Sequence, residues 1–303
     1  MTRVFPIVVV LIALLIVWYV GAVALNAPVL LDAYARNNTP FAWPQFVLDA
    51  WNQSRPVLPS PHQVLVEFWN TTFNVAITSK KSLVYHAWVT LSATLLGFVL
   101  GTILGILLAV LIVHNDASDR SLMPWIIASQ TIPIVALAPV LVVVTYNVVT
   151  GDNLISHSLH LTGDAARLVS KGLVSTYLSF FPVVVGMVKG FRSPEGIQLD
   201  LMRTYNASAA KTFWKLRWPI ALPYLFTSMK VAVAASLVGA IVGELPTGAV
   251  AGLGARLLGG SYYGQTVQIW SALLAAALLA GLLIVAVGVA ERIVVRRMGA
   301  KPS

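Results

Sequence analysis

Six stretches of this chain, roughly 5–25, 86–113, 122–147, 168–189, 220–244 and 267–291, are each long and apolar enough to cross a bilayer as a helix. In lipid, a backbone amide has no water to bond to. Runs of this kind therefore pair their backbone internally. Composition agrees: 58% of residues are hydrophobic and 10% charged, where soluble domains carry about a quarter charged residues. Mean hydropathy is +0.82. The expected fold class is an all-α polytopic membrane protein with about six transmembrane helices. The net charge of +9 is scattered between the apolar runs, so it reads as a topology signal and not as a nucleic-acid surface. There is no cysteine, which excludes disulfides, thiolate metal sites and cysteine nucleophiles.

The run 27–85 does not read as a span. It holds Pro40, Pro44, Pro56, Pro59 and Pro61 with Trp43, Trp51 and Trp69, and predicts an ordered loop with short interfacial helices. A second polar insertion, 148–166, carries Gly151, Asp152, His157, His160 and Asp164. Placing the N-terminus inside puts twelve basic residues in the cytoplasm: Arg3, Arg120, Lys189, Arg192, Arg203, Lys211, Lys215, Arg217, Arg292, Arg296, Arg297 and Lys301. The outer seven, Arg36, Arg55, Lys80, Lys81, Arg167, Lys171 and Arg256, are diluted over longer loops, where the charge rule is weaker. An even number of spans with both termini inside satisfies that bias. Arg3, the following apolar run and Ala22-Val23-Ala24 fit a signal peptide loosely. The run exceeds the core of about 7–15 residues in such signals, so it reads as an uncleaved anchor.

Between two of the spans lies a basic segment, Ala207 to Pro223. From Asp200 to Trp218 there is no proline, so a short helix is expected, with Lys211 and Lys215 spaced i, i+4 and Phe213 and Trp214 as its bulky apolar members. Pro219 and Pro223 are expected to terminate or kink the entry into the next span. Aromatic knobs between charges at a membrane face suit insertion into a partner's groove. They equally suit an amphipathic helix lying on anionic lipid. The residues alone leave both readings open.

The segment resembles the cytoplasmic loop of binding-protein-dependent ABC importer permeases, whose pattern is Glu-Ala-Ala, three residues, Gly, nine residues, Ile, one residue, Leu-Pro. Aligned on Ile220, Leu222 and Pro223, the Gly position falls on Ala210 and the Glu-Ala-Ala positions on Thr204, Tyr205 and Asn206. Tyr205-Asn206-Ala207-Ser208 followed by Trp214 is similar to the nitrate/sulfonate/taurine-type permeases, which often read Tyr-Gly-Ala-Ser there. Further resemblances follow in order: Leu58-Pro59-Ser60-Pro61 with Val64, Thr131-Ile132-Pro133 to Ala138-Pro139, Phe180-Phe181-Pro182, and Gly252-Leu253-Gly254.

The resemblance implies a type I ABC importer permease architecture. Residues 1–85 would form an N-terminal transmembrane anchor and a periplasmic Pro/Trp-rich segment. Residues 86–291 would form the permease core with a cytoplasmic coupling helix at 199–215, and 292–303 a basic cytoplasmic tail. Two ABC ATPase subunits would dock on the coupling helices, a periplasmic solute-binding protein would deliver solute, and a second permease copy or a paired permease would complete the pathway in the bacterial inner membrane. The implied docking residues are Thr204, Asn206, Ala207, Ser208, Ala210, Phe213, Trp214, Ile220, Leu222 and Pro223. Candidate cargoes are nitrate, a sulfonate or taurine, or a vitamin or pyrimidine precursor. The chain carries no Gly-x-x-x-x-Gly-Lys-Ser/Thr phosphate loop, so ATP and Mg would belong to the partner ATPase, with no cofactor and no catalytic residue expected here.

Other residues have two readings each. Gly97, Gly101 and Gly105, spaced by four, form a small-residue strip for helix packing, against a direct role in the pathway. Lys230 lies about 15 Å into its span and marks the pathway or a structural ion pair, against snorkelling to the interface. Glu244 lies about 21 Å further along, too far to pair with it, and is expected near the outer mouth. Gln130, Thr131, Pro133 and Pro139 interrupt the third span, which predicts a kinked, pathway-lining helix, against a kink that serves only packing. A zinc site drawn from His157, His160, Asp152 and Asp164 is set aside for a polar outer loop. An ion-coupled secondary transporter would need intramembrane acids and often inverted repeats. Only Glu244 is on offer. An intramembrane enzyme would need a nucleophile–base or paired-carboxylate constellation, and His86 stands only at a span's edge.

Overall fold

The computed structural model describes residues 4–38, 40–151, 163–245 and 251–298. Helix α1 (Val4–Asn37) runs past the expected end at residue 25 and continues through Pro28. At about 1.5 Å per residue it outreaches the roughly 30 Å hydrocarbon core. Asn26 explains the extension. Its side chain is fully buried and makes four bonds: the amide donates to the carbonyls of Ala50 (2.9 Å) and Leu58 (3.0 Å), and its oxygen accepts from the N–H groups of Val57 (2.7 Å) and Leu58 (3.1 Å). Trp18 Nε1 donates to Pro59 O (3.0 Å) and Trp51 Nε1 to Tyr19 O (3.1 Å). The Pro/Trp-rich segment is thus folded onto α1. Its short helices are α2 (Trp43–Trp51) and α3 (Pro61–Phe73), the latter opened by a Ser60–Gln63 capping box with Pro61 in the first turn.

Beyond it come α4 (Leu83–His114), α5 (Asp116–Ser129), α6 (Ile134–Thr150), α7 (Gly163–Phe191), α8 (Gly196–Thr204), α9 (Ala209–Glu244), α10 (Leu253–Tyr262) and α11 (Thr266–Arg297). Five of these helices, α1, α4, α7, α9 and α11, are each long and apolar enough to cross a membrane. The chain forms two compact units, one of Met1–Ala87 with Ala255–Ala277, the other of Trp88–Gly254 with Leu278–Ser303. Residues 255–277 therefore group with the N-terminal segment and not with the expected core. α11 continues unbroken through residues 291 and 292 to Arg297.

The expected third span, 122–147, is not one kinked helix. α5 and α6 are separate helices bent by 102°. Pro133 has no N–H and disfavours helical backbone at Ile132, so α5 stops at Ser129 and Pro133 becomes the N-cap of α6. The freed carbonyls are taken locally: Ser129 Oγ donates to Ile126 O (2.7 Å) and Thr131 Oγ1 to Ala128 O (2.8 Å). The Tyr177 hydroxyl of α7 donates to Ser129 O. Pro139 sits inside α6 without breaking it.

In the second unit α7 is the central element, with more than half of its span buried. Gly97, Gly101 and Gly105 of α4 all face it. A Cβ at Gly97 would come within 2.1 Å of Ser175 Cβ, one at Gly101 within 2.1 Å of Ser179 Oγ, and one at Gly105 within 2.7 Å of Val183 Cβ. A Cβ at Gly239 of α9 would also meet Ser175, at its Cα, at 2.7 Å. Such spacing lets backbones approach where lipid offers no hydrophobic drive between helices.

Candidate functional site

The segment expected to form one helix over 199–215 is two helices joined by a left-handed turn. α8 ends at Thr204 and α9 begins at Ala209, with Asn206 between them at φ 47. Asn206 N–H donates to Arg203 O (2.8 Å) and Ala207 N–H to Met202 O (2.9 Å). That pair of bonds is the Schellman closure, which favours Gly or Asn at the left-handed position. Ser208 then caps α9, accepting from Lys211 N–H (3.3 Å).

The turn shifts the register of the loop pattern by four residues. Its glycine belongs at the left-handed Asn206 and not at Ala210, which is helical. Counting from Asn206 puts Glu-Ala-Ala on Asp200, Leu201 and Met202, and Ile-x-Leu-Pro on Leu216, Trp218 and Pro219. The acidic position is thus kept, in Asp200, which pairs with Arg203 (2.8 Å) and whose carbonyl accepts from Thr204 Oγ1 (3.0 Å). The clue in the sequence was Asp200 six residues before an Asn able to replace Gly.

Pro219 and Pro223 do not end the helix. Phe213–Arg217 is wound as a π turn, with Trp218 N–H reaching Phe213 O. A proline lacks its N–H and crowds the carbonyl one turn back. The widened turn just before Pro219 gives that ring room, and α9 runs on for 36 residues.

No residue of α8 is buried. Ile197, Leu201 and Tyr205, spaced by four, form an exposed apolar row, and Trp214 of α9 is 62% exposed. Phe213, expected beside Trp214 as a docking knob, is 8% exposed and packs against His114, Phe191 and Trp218. It is core because the π turn rotates it inward. Ile220, Leu222 and Pro223 are half-buried within α9, while Ala210 is exposed.

The residues proposed for a pathway do not form one cluster. Thr131 and Pro133 are exposed and Gln130 and Pro139 half-buried at the α5–α6 break. Lys230 forms an ion pair with Glu291 of α11 at 2.5 Å; its side chain is 34% exposed and that of Glu291 5%. Glu244 is 0% exposed and so lines no outer mouth. It pairs with Lys171 at 3.4 Å, a residue expected in an outer loop and found buried in α7. Arg256, another expected outer-loop charge, is nearly buried against Glu67 at 3.6 Å. Burial pulls its guanidinium below the ordinary value, and the Glu67 carboxylate opposes that. Asp152, His157 and His160 lie outside the described residues, as do Arg3 and Lys301. Asp164 pairs with Arg167 at the surface (3.3 Å).

Residues 101–300 match the family described as "Binding-protein-dependent transport system inner membrane component". The chain is 36% identical over 243 residues to the riboflavin transport system permease protein RibX of Chloroflexus aurantiacus, covering 79% of this chain and 80% of that one. It is 31% identical over 199 residues to the formylaminopyrimidine transport permease protein ThiX of Halalkalibacterium halodurans, covering 65% and 68%. Among solved structures it resembles the inward-facing MetNI methionine ABC transporter, with a TM-score of 0.56 at 20% identity, over 70% of this chain and 95% of that one.

Proposed function

This chain belongs to the binding-protein-dependent transport system inner membrane components, the permease subunits of ABC importers, and from that premise we propose that α8 is the surface on which an ABC ATPase docks. The observation that carries the reading is a nine-residue helix with no buried residue and a row of apolar side chains, Ile197, Leu201 and Tyr205, turned to solvent. Such a row on an unpartnered helix fits the groove of another protein. The tight turn at Asn206 joins it to α9, whose 36 residues reach about 54 Å. Displacement of α8 would therefore travel along one continuous rod.

In this reading two ATPases bind ATP and Mg and supply the work, and a second permease copy or a paired relative completes the pathway. A periplasmic binding protein delivers solute, and alternating access moves it across the bacterial inner membrane with both termini cytoplasmic. We infer a cargo that is an aromatic nitrogen heterocycle, a vitamin or pyrimidine precursor, in preference to nitrate or a sulfonate. The support is the relatives named for riboflavin and formylaminopyrimidine, at 36% and 31% identity.

Leu201→Asp tests the docking surface. The complex purified with its ATPase should lose that subunit while the permease keeps its thermal midpoint, since Leu201 is 55% exposed. Unchanged co-purification would remove α8 from the interface. Uptake of riboflavin into proteoliposomes by the whole assembly should require ATP. Uptake by this chain alone under an ion gradient would instead favour a secondary transporter.

A further inference from the structure

Glu244 lies at the end of α9 remote from the α8 turn, where an ordinary interfacial acid would face water. It is fully buried, and Thr90, Gly254 and Lys171 all donate to it. Thr90 Oγ1 of α4 shares its single hydrogen between the two carboxylate oxygens (3.1 and 3.0 Å), Gly254 N–H in the first turn of α10 donates at 2.8 Å, and Lys171 Nζ of α7 donates at 3.4 Å. The Thr90 hydroxyl oxygen accepts the Leu253 N–H (2.8 Å), which turns its hydrogen toward the carboxylate. Lys171 also donates to Ala251 O (3.1 Å). Gly252 passes so close, at φ +128, that a Cβ there would lie 2.1 Å from Glu244 Cδ. An amide in place of the carboxylate would aim its NH2 at one of these donors. The cradle therefore selects a group that only accepts.

The partners come from three elements, α4, α7 and α10, which meet at the end of α9. α4 and α9 are tied again one turn deeper, where Ser236 Oγ donates to Thr94 O (2.7 Å). We propose that Glu244 is a positioning residue for the transport cycle: its carboxylate gathers the remote ends of α4, α7 and α9 and the first turn of α10 into one body, so that movement entering α9 at the docking turn arrives there undivided. A simple salt bridge would join only α7 and α9. The Thr90 hydroxyl and the Gly254 amide donate alongside Lys171, so this device works through hydroxyl and backbone as much as through charge. The inference rests on the reading of α8 as the docking end.

The test uses the chain reconstituted with its ATPase and binding protein. Deuterium exchange at the Leu253 and Gly254 amides, thermal midpoint, ATP hydrolysis and uptake are read for Glu244→Gln, Thr90→Val and Thr90→Ser. For the first two, exchange at Leu253 and Gly254 should rise about tenfold or more, as expected when a buried charge-assisted bond is lost. Uptake per ATP hydrolysed should fall by a similar factor, with ATP hydrolysis retained. Thr90→Ser keeps the hydroxyl and should restore both. Faster exchange with an unchanged uptake-to-ATP ratio overturns the positioning role, because packing alone would then be the function of Glu244. Unchanged exchange overturns the cradle itself. A Lys171→Glu, Glu244→Lys exchange of charges should not rescue coupling, and rescue would reduce the site to an ion pair. Failure of the docking reading is separate: it shows in Leu201→Asp and not in these amides.

Discussion

At the scale of single residues, this membrane chain is governed by where its few charges find partners. Lys230 and Glu291 sit on two different spans and meet at 2.5 Å, with Glu291 almost wholly enclosed. Removing one member takes the ion-pair partner from the other, and breaking a buried pair costs about 3–5 kcal/mol. Lys230→Met should cost toward about 3 kcal/mol, the lower end, since Lys230 keeps a third of its side chain exposed. Adding Glu291→Met should recover most of that, because two apolar groups of similar size need no counter-ion. Thermal midpoints of both variants in detergent, analysed as a double-mutant cycle, check it. Neither Glu291 nor Lys171 was legible beforehand as a partner. Each is separated from its counter-ion by more than sixty positions, and the charge of a residue says nothing about which distant helix will face it. Asn26 was hidden for the same reason: it reads as one polar residue in an apolar run, yet it holds the loop at Ala50 and Val57–Leu58 by four bonds. What could be read was the chemistry that must be satisfied, that a buried Lys needs an anion.

At the scale of elements, spacing that repeats along one helix was legible, whereas breaks set by a single residue were not. The strip Gly97, Gly101 and Gly105 is visible as a four-residue repeat, and it does lie against one neighbour, α7. The helix stop at Asn206 and the π turn before Pro219 were missed, because each depends on local backbone bonding that no apolar period reports. The seam makes a sharp prediction. A methyl at Gly101 would overlap Ser179 Oγ at 2.1 Å, and Ser179 Oγ already donates to Gly97 O (3.0 Å) on the same helix. Gly101→Ala should therefore lose about 1–3 kcal/mol, the usual cost of overpacking a tight core. Adding Ser179→Gly vacates that space and leaves the new Cβ at 3.1 Å from Phe180 N, so most of the loss should return. If the pair is no better than the single change, α4 and α7 part at this contact and the seam is not rigid. Thermal unfolding of the three proteins in the same detergent distinguishes the outcomes.

For the whole molecule, sidedness turns on the bent pair α5–α6. A pair bent by 102° is either a crossing or a re-entrant hairpin, and the choice sets whether both termini share a side. The second unit argues for a crossing. α5 begins with Asp116, Asp119 and Arg120, and Asp119 pairs with Arg192 at 2.8 Å, beyond the end of α7 that leads into α8. The far end of the pair goes elsewhere: the Tyr146 hydroxyl of α6 lies 4.0 Å from the Cβ position of Gly163, at the opposite end of α7. α7 has 29 residues, about 43 Å of helix, more than the roughly 30 Å of hydrocarbon. The two ends of the pair thus lie at opposite ends of a helix long enough to cross. α6, at 17 residues, is at the lower limit for spanning by itself, and α5, polar in its first turn, suits the interface. Because the chain has no cysteine, single substitutions can report this without background. Ala117→Cys and Tyr205→Cys should react with an impermeant maleimide only from the cytoplasmic side, and Thr150→Cys and Tyr263→Cys only from the outside. Ala117 and Thr150 labelling from one side would make the pair a hairpin, reduce the crossings to five and place the termini on opposite faces.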